Sequence, residues 1–113
     1  MKGFSSLEQS KKLAEFLPLE SADMFWLVLG NTPRVHVLTE PLSNYSRWES
    51  YPCWSLAALL DIIPYPTLGK HVDETWSCAS WVEKVKPYFV ESCDSPINAC
   101  YEMIIKLHEQ KLL

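Results

Sequence analysis

Cys93, Cys100 and His108 fall seven and eight residues apart near the end of the sequence. A thiol beside an imidazole can act as a nucleophile when the histidine takes its proton. That chemistry needs a depressed thiol pKa, and no cationic residue adjoins either cysteine to lower it. Both therefore read as packed thiols. His108 falls on the apolar side of its segment, where burial would shift its pKa and make it a switch or general base. The plainer reading is a satisfied histidine near a helix C-terminus, where the dipole favours its charge. A cryptic enzyme around His108 and Cys100 would need the imidazole to reach solvent in a cleft.

Other constellations are missing. The three histidines are dispersed, with no HExxH and no CxxC, so no metal is expected. His36 shares a strand face with Arg34 and reads as solvated. Asp73 and Glu74 are adjacent and on a strand would diverge, whereas acid–base work needs converging groups. Gly3, Gly30 and Gly69 are too far apart for a phosphate-cradling loop. No GxSxG elbow occurs. The expectation is a protein without catalytic residues or cofactor.

The densest chemistry lies in "YSRWESYPCW" (45–54), with Tyr45, Trp48, Tyr51 and Trp54 at every third position. In a 3₁₀ or polyproline II turn that spacing aligns the rings along one edge. Exposed, they could stack on sugars, bases or proline-rich peptide, with Arg47 and Glu49 supplying hydrogen bonds. Alternatively they cover a small core, Trp54 inside and Trp48 partly out.

The elements that would position these residues follow from periodicity. Ser5 and Glu8 fit a capping box, opening a helix that Pro18 ends near Leu17. "MFWLVL" (24–29) and "RVHVL" (34–38), joined by "GNTP", read as a β-hairpin. "SLAALLDII" (55–63) is helical, with Leu56, Leu59, Leu60 and Ile63 on its core face and Ser55 as cap. Its other side carries Asp61 but also Ala58 and Ile62, a second apolar patch. "ETWSCASWV" and "VKPYFVE" suit a second hairpin, with Pro87 at an edge or bulge. Asp73 could instead cap a helix through residues 76–85. Ser95-Pro96 opens the last helix, with Ile97, Cys100, Tyr101, Ile104, Ile105, Leu107 and His108 along one face. The order is α-ββ-α-ββ-α: an α+β fold, one domain over 1–113, with helices on a small antiparallel sheet of two hairpins.

Composition narrows the classes. The chain is 48% hydrophobic and 21% charged, a globular balance. Its net charge of −4 is scattered, with no basic run, so nucleic acid is not an expected partner. No apolar run approaches the ~20 residues that cross a bilayer, and the N-terminus lacks the apolar stretch of a signal peptide. The four cysteines without a framework fit a reducing cytoplasm.

"PCWSLAALLDIIP" (52–64) and "DSPINACYEMIIKLHEQKLL" (94–113), with "QSKKL" at Gln9–Leu13, are similar to short uncharacterised proteins carried by prophages and mobile elements of gut bacteria. The resemblance covers about half the chain. It implies a phage- or element-borne accessory gene and assigns no catalytic residue. "YFVESCDSPINACYEMI" also looks like the strand-to-helix corner of HicB-type antitoxins.

These readings converge on a cytoplasmic, non-enzymatic protein that binds another protein, a second copy of itself included. The expected surface is Tyr45, Arg47, Trp48 and Tyr51 with Ala58 and Ile62. The alternative is a carbohydrate- or peptide-binding module using the same rings.

Overall fold

A computed structural model describes residues 3–29, 32–38, 49–83 and 86–113. It is an α+β structure with three helices and two three-stranded antiparallel sheets. The chain groups into two compact units, Phe4–Ala58 and Leu59–Leu113.

In the first unit, α1 (Leu7–Leu13) precedes a 3₁₀ turn (Leu19–Ser21), β1 (Met24–Leu29), β2 (Thr32–Val37) and β3 (Glu49–Cys53). The capping box sits one residue later than the sequence suggests. Ser6 Oγ accepts the Gln9 amide, and the Gln9 side chain accepts the Ser6 amide. The helix also ends early, at Leu13, well before Pro18.

The sheet order is β2-β1-β3. Trp26 lies between Val35 and Tyr51, and Phe25 between His36 and Pro52, so the two aromatics of β1 serve opposite faces. The Trp26 face carries α1, whose Lys11 Nζ stands 4.8 Å from the Tyr51 ring centroid. Phe4 adds an edge-on contact to Trp26. On the other face His36, exposed as expected, stacks on Phe25.

β3 is the main departure from the sequence reading here. Residues 49–53 pair with β1 as a strand, so one sheet of two hairpins becomes two sheets of three strands. Pro52 is tolerated because β3 is an edge.

α2 (Leu56–Ile62) begins at the end of the first unit and continues into the second, which goes on with β4 (Pro66–Lys70), β5 (Trp76–Ser80), β6 (Tyr88–Cys93) and α3 (Pro96–Glu109). Ser55 Oγ caps α2 by accepting the Ala58 amide. β4, unforeseen, pairs with β5 in the order β4-β5-β6. Residues 76–80 are strand, which removes the helical alternative for 76–85. Asp73 instead fixes the hairpin turn, its Oδ1 accepting the Thr75 amide and hydroxyl.

The β5–β6 ladder has an irregularity: Trp76 faces Cys93 but Cys78 faces Val90. β6 therefore holds one extra residue, and Ser92 there has φ 61.

α3 begins as expected, with Ser95 as cap and Pro96 in the first turn. It packs on all three strands. Its buried face is Ile97, Ala99, Cys100, Met103, Ile104 and Leu107, rotated from the predicted one. His108 is exposed, its Nδ1 3.0 Å from the Leu113 carbonyl. Among the described residues no helix is long and apolar enough to cross a membrane.

Candidate binding site

Of the residues expected to form a recognition surface, Tyr45, Arg47 and Trp48 lie outside the described residues. Tyr51 is half-buried on β3 beneath Lys11. Trp54 is wholly buried, its indole N–H donating to Ser21 Oγ at 2.9 Å. It is core cover, as one of the two sequence readings held. Ala58 and Ile62, one turn apart on α2, are both half-buried.

The exposed aromatics that the structure does assemble are Tyr65 and Trp81. Pro66 pairs with Ser80, and the Trp81 amide donates to the Tyr65 carbonyl at 3.3 Å, one step beyond the β4–β5 ladder. The two rings thus flank the same end of one strand pair. Tyr65 is 77% exposed and Trp81 44%. With Pro66, Thr67 and Val82 they line an open groove of about 750 Å³. None of these five residues carries a charge.

Tyr65 has φ 46, in the left-handed region where a Cβ crowds the backbone. Bulky residues seldom occupy it. Pro66 follows, and the Ser80 hydroxyl donates to the Pro64 carbonyl at 2.6 Å, so the corner is fixed from both sides. An aromatic held in a costly backbone state with its ring in solvent is an outlier of the kind associated with functional sites.

Reading the sequence alone missed both residues. The available signal was "PYP" at 64–66, but without β4 nothing placed Tyr65 opposite Trp81.

Among the described residues the cysteines and histidines singled out by the sequence are not brought together. Cys100 is wholly buried, and His108 lies eight residues along α3, about 12 Å by helical rise. His71 Nε2 and Ser77 Oγ are 2.9 Å apart on the β4–β5 hairpin. Asp73 nearby directs its Oδ1 to Thr75, which holds its carboxyl below the usual range; the charge of His71 adds to this. The three residues brace a turn.

Among the described residues no group of three or more metal-ligating side chains is positioned to hold an ion. A smaller hollow of about 360 Å³ lies beside Glu83, Tyr88, Phe89 and Lys106. There Tyr88 donates to Glu83, and Lys106 Nζ to the Phe89 carbonyl, while Lys86 adds a further cation to the lining.

Compared with models of protein families, with curated proteins and with solved structures, the chain matches none of them.

Proposed function

We propose that this chain is a small non-enzymatic, cytoplasmic accessory protein of the phage- or mobile-element-borne kind its motifs resemble, and that it works by binding another protein. The observation that carries this reading is the Tyr65–Trp81 pair, two solvent-facing rings at the end of one strand pair beside a groove whose lining, among the described residues, carries no charge. Tyrosine and tryptophan contribute large contact area with few rotatable bonds, and they dominate the energetics of many interfaces.

The partner segment that fits is uncharged and apolar, because a charged one would lose its hydration against rings and proline without a counter-ion. The test compares capture by wild-type protein with capture by Tyr65→Ala and Trp81→Ala variants of verified fold. A partner bound by wild type and lost from both variants supports the reading. Equal binding by all three rejects the groove.

A second reading is a carbohydrate- or peptide-binding module. The groove volume supports it, since small-molecule sites commonly span about 300–1,000 Å³. It requires saturable quenching of Trp81 fluorescence by an oligosaccharide or proline-rich peptide, and loss of that response in Trp81→Phe.

A further inference from the structure

The two edges of the second sheet, β4 and β6, are finished differently. At the ends of the β4–β5 ladder the Trp81 amide donates to the Tyr65 carbonyl and the His71 amide to the Thr75 carbonyl. Backbone groups alternate in direction along an antiparallel strand, so Thr67 and Gly69 bond to β5 while Pro66, Leu68 and Lys70 turn away from it. Among the described residues nothing is placed to bond these outward groups.

On β6 the same alternation turns the Phe89 carbonyl outward, and there Lys106 Nζ donates to it at 2.8 Å. β6 also holds the extra residue and the left-handed Ser92, which twist an edge away from pairing. Along β4 the register with β5 runs without a break, and its one charged residue is the terminal Lys70. An unbroken edge with unpaired donors is a template for another strand.

The donors on offer define which strand fits. Leu68 and Lys70 each present an outward N–H, and Pro66 has none. A second β4, antiparallel with Leu68 opposite Leu68, matches all of them. The two Leu68 residues exchange N–H···O=C bonds, and each Lys70 amide meets the Pro66 carbonyl of the other copy. No donor is asked of proline, and the Lys70 carbonyls, at the exposed ends, keep their water.

The side chains agree with this register. Gly69 falls opposite Thr67 of the other copy; a Cβ at Gly69 would meet only Ser77 Oγ, at 3.7 Å, so this side has room for the threonine. Tyr65 falls opposite His71, an aromatic cross-strand pair that covers an exposed ring. The like charges of the two Lys70 residues stand about 13 Å apart along the strands. Residues 66–69, "PTLG", are also the uncharged kind of segment that the adjoining groove favours.

We propose that the outer edge of β4 pairs with β4 of a second copy about a two-fold axis at Leu68, joining two three-stranded sheets into one of six. The proposal rests on the protein-binding reading of this end of the sheet and names the partner.

The experiment combines analytical ultracentrifugation of the full chain with amide hydrogen exchange read by NMR, both across a wide concentration range. The mass should rise from 13.0 kDa to twice that. In the concentrated sample the Leu68 and Lys70 amides should exchange more slowly by about tenfold or more. Leu68→Pro removes the central donors, which β5 does not use, and should weaken the dimer by about tenfold or more. Leu68→Lys, which sets two like charges on the axis, should do the same. A dimer that leaves the Leu68 and Lys70 amides exchanging as in the monomer would overturn the proposal without reference to any variant's folding. So would a dimer kept at full strength in both folded variants. A wild type still monomeric at about millimolar concentration overturns it too. If that monomer captures another protein through Tyr65 and Trp81, self-pairing alone is rejected; if it captures none, the protein-binding reading falls with it.

Discussion

The hydroxyls of Ser5 and Ser10 are hydrogen-bonded at 2.7 Å, and both residues are wholly buried. Ser5 is the hub of the first unit's polar interior. Its amide donates to the Trp54 carbonyl, and its hydroxyl accepts the Trp54 amide. Its carbonyl accepts the Trp26 indole N–H at 3.1 Å and the Cys53 thiol at 3.4 Å. Burial raises the Cys53 thiol pKa, with the two serine hydrogen bonds opposing, so this thiol stays protonated and can donate.

Ser5→Ala removes an acceptor and strands the buried Trp54 amide together with the Ser10 hydroxyl. An unsatisfied buried group costs about 1–3 kcal/mol, so the loss should be about 2–3 kcal/mol. Ser10→Ala leaves Ser5 its Trp54 bond and should cost about 1 kcal/mol. Urea denaturation measures both. A Ser5→Ala loss no larger than that of Ser10→Ala would show that Ser5 is not the hub.

Acid should loosen the β4–β5 turn first. The two Thr75 hydrogen bonds hold the Asp73 carboxyl below its ordinary value of 3.8. A group depressed on folding contributes stability that is complete above its unfolded pKa and lost as pH falls through the folded one. The contribution of Asp73 should thus persist down to about pH 4 and decline below it. The Thr75 amide shift, followed by NMR, reports this, and Asp73→Asn should remove the transition. A Thr75 titration centred above pH 4 would contradict it.

The sequence carried the elements with strong local signals and missed those defined by partners. The helix starting at Ser95-Pro96 was legible because cap and proline act within one turn. The pairing of "MFWLVL" was legible because six apolar residues in a row have few alternatives. β3 and β4 were not: "ESYPC" and "PTLGK" contain proline or glycine and lack alternation, and they are strands because β1 and β5 offer them hydrogen bonds. The capping box slipped by one residue because Ser5 and Ser6 are equivalent until tertiary contacts recruit Ser5 to the interior. His108 was misplaced because helical periodicity gives a face only to within about one residue's rotation, and Met103 and Ala99 take the core instead. The site suffered most. Its two aromatics are 16 residues apart in sequence and meet only through a strand that the sequence did not announce.

Capping of α3 should matter more than its position near the chain's end suggests. Ser95 Oγ accepts the Asn98 amide at 3.1 Å, and the helix above it buries seven residues against its sheet. Ser95→Ala should cost about 1 kcal/mol, and Ser95→Asp, which keeps an acceptor, only a small fraction of that. Equal losses in thermal melts of the two variants would mean that the cap bond is not what Ser95 contributes.

Tyr65 offers the sharpest separation of stability from function. Its φ of 46 costs an L-residue about 1–2 kcal/mol that glycine does not incur. Glycine in turn gives the unfolded chain extra freedom, offsetting about 0.5–1 kcal/mol of that relief. Because the ring is 77% exposed, little packing is lost with it. Tyr65→Gly should therefore leave the fold as stable as wild type or stabilise it by up to about 1 kcal/mol. Binding through the groove should meanwhile weaken by tenfold or more, about 1.4 kcal/mol, the scale of a truncated interface aromatic. Paired measurements of urea midpoint and partner binding decide the matter. A fall in stability with binding intact would make Tyr65 a structural cover for the β4–β5 end. Stability kept and binding lost is the result expected of a ring held in strain for the sake of what it touches.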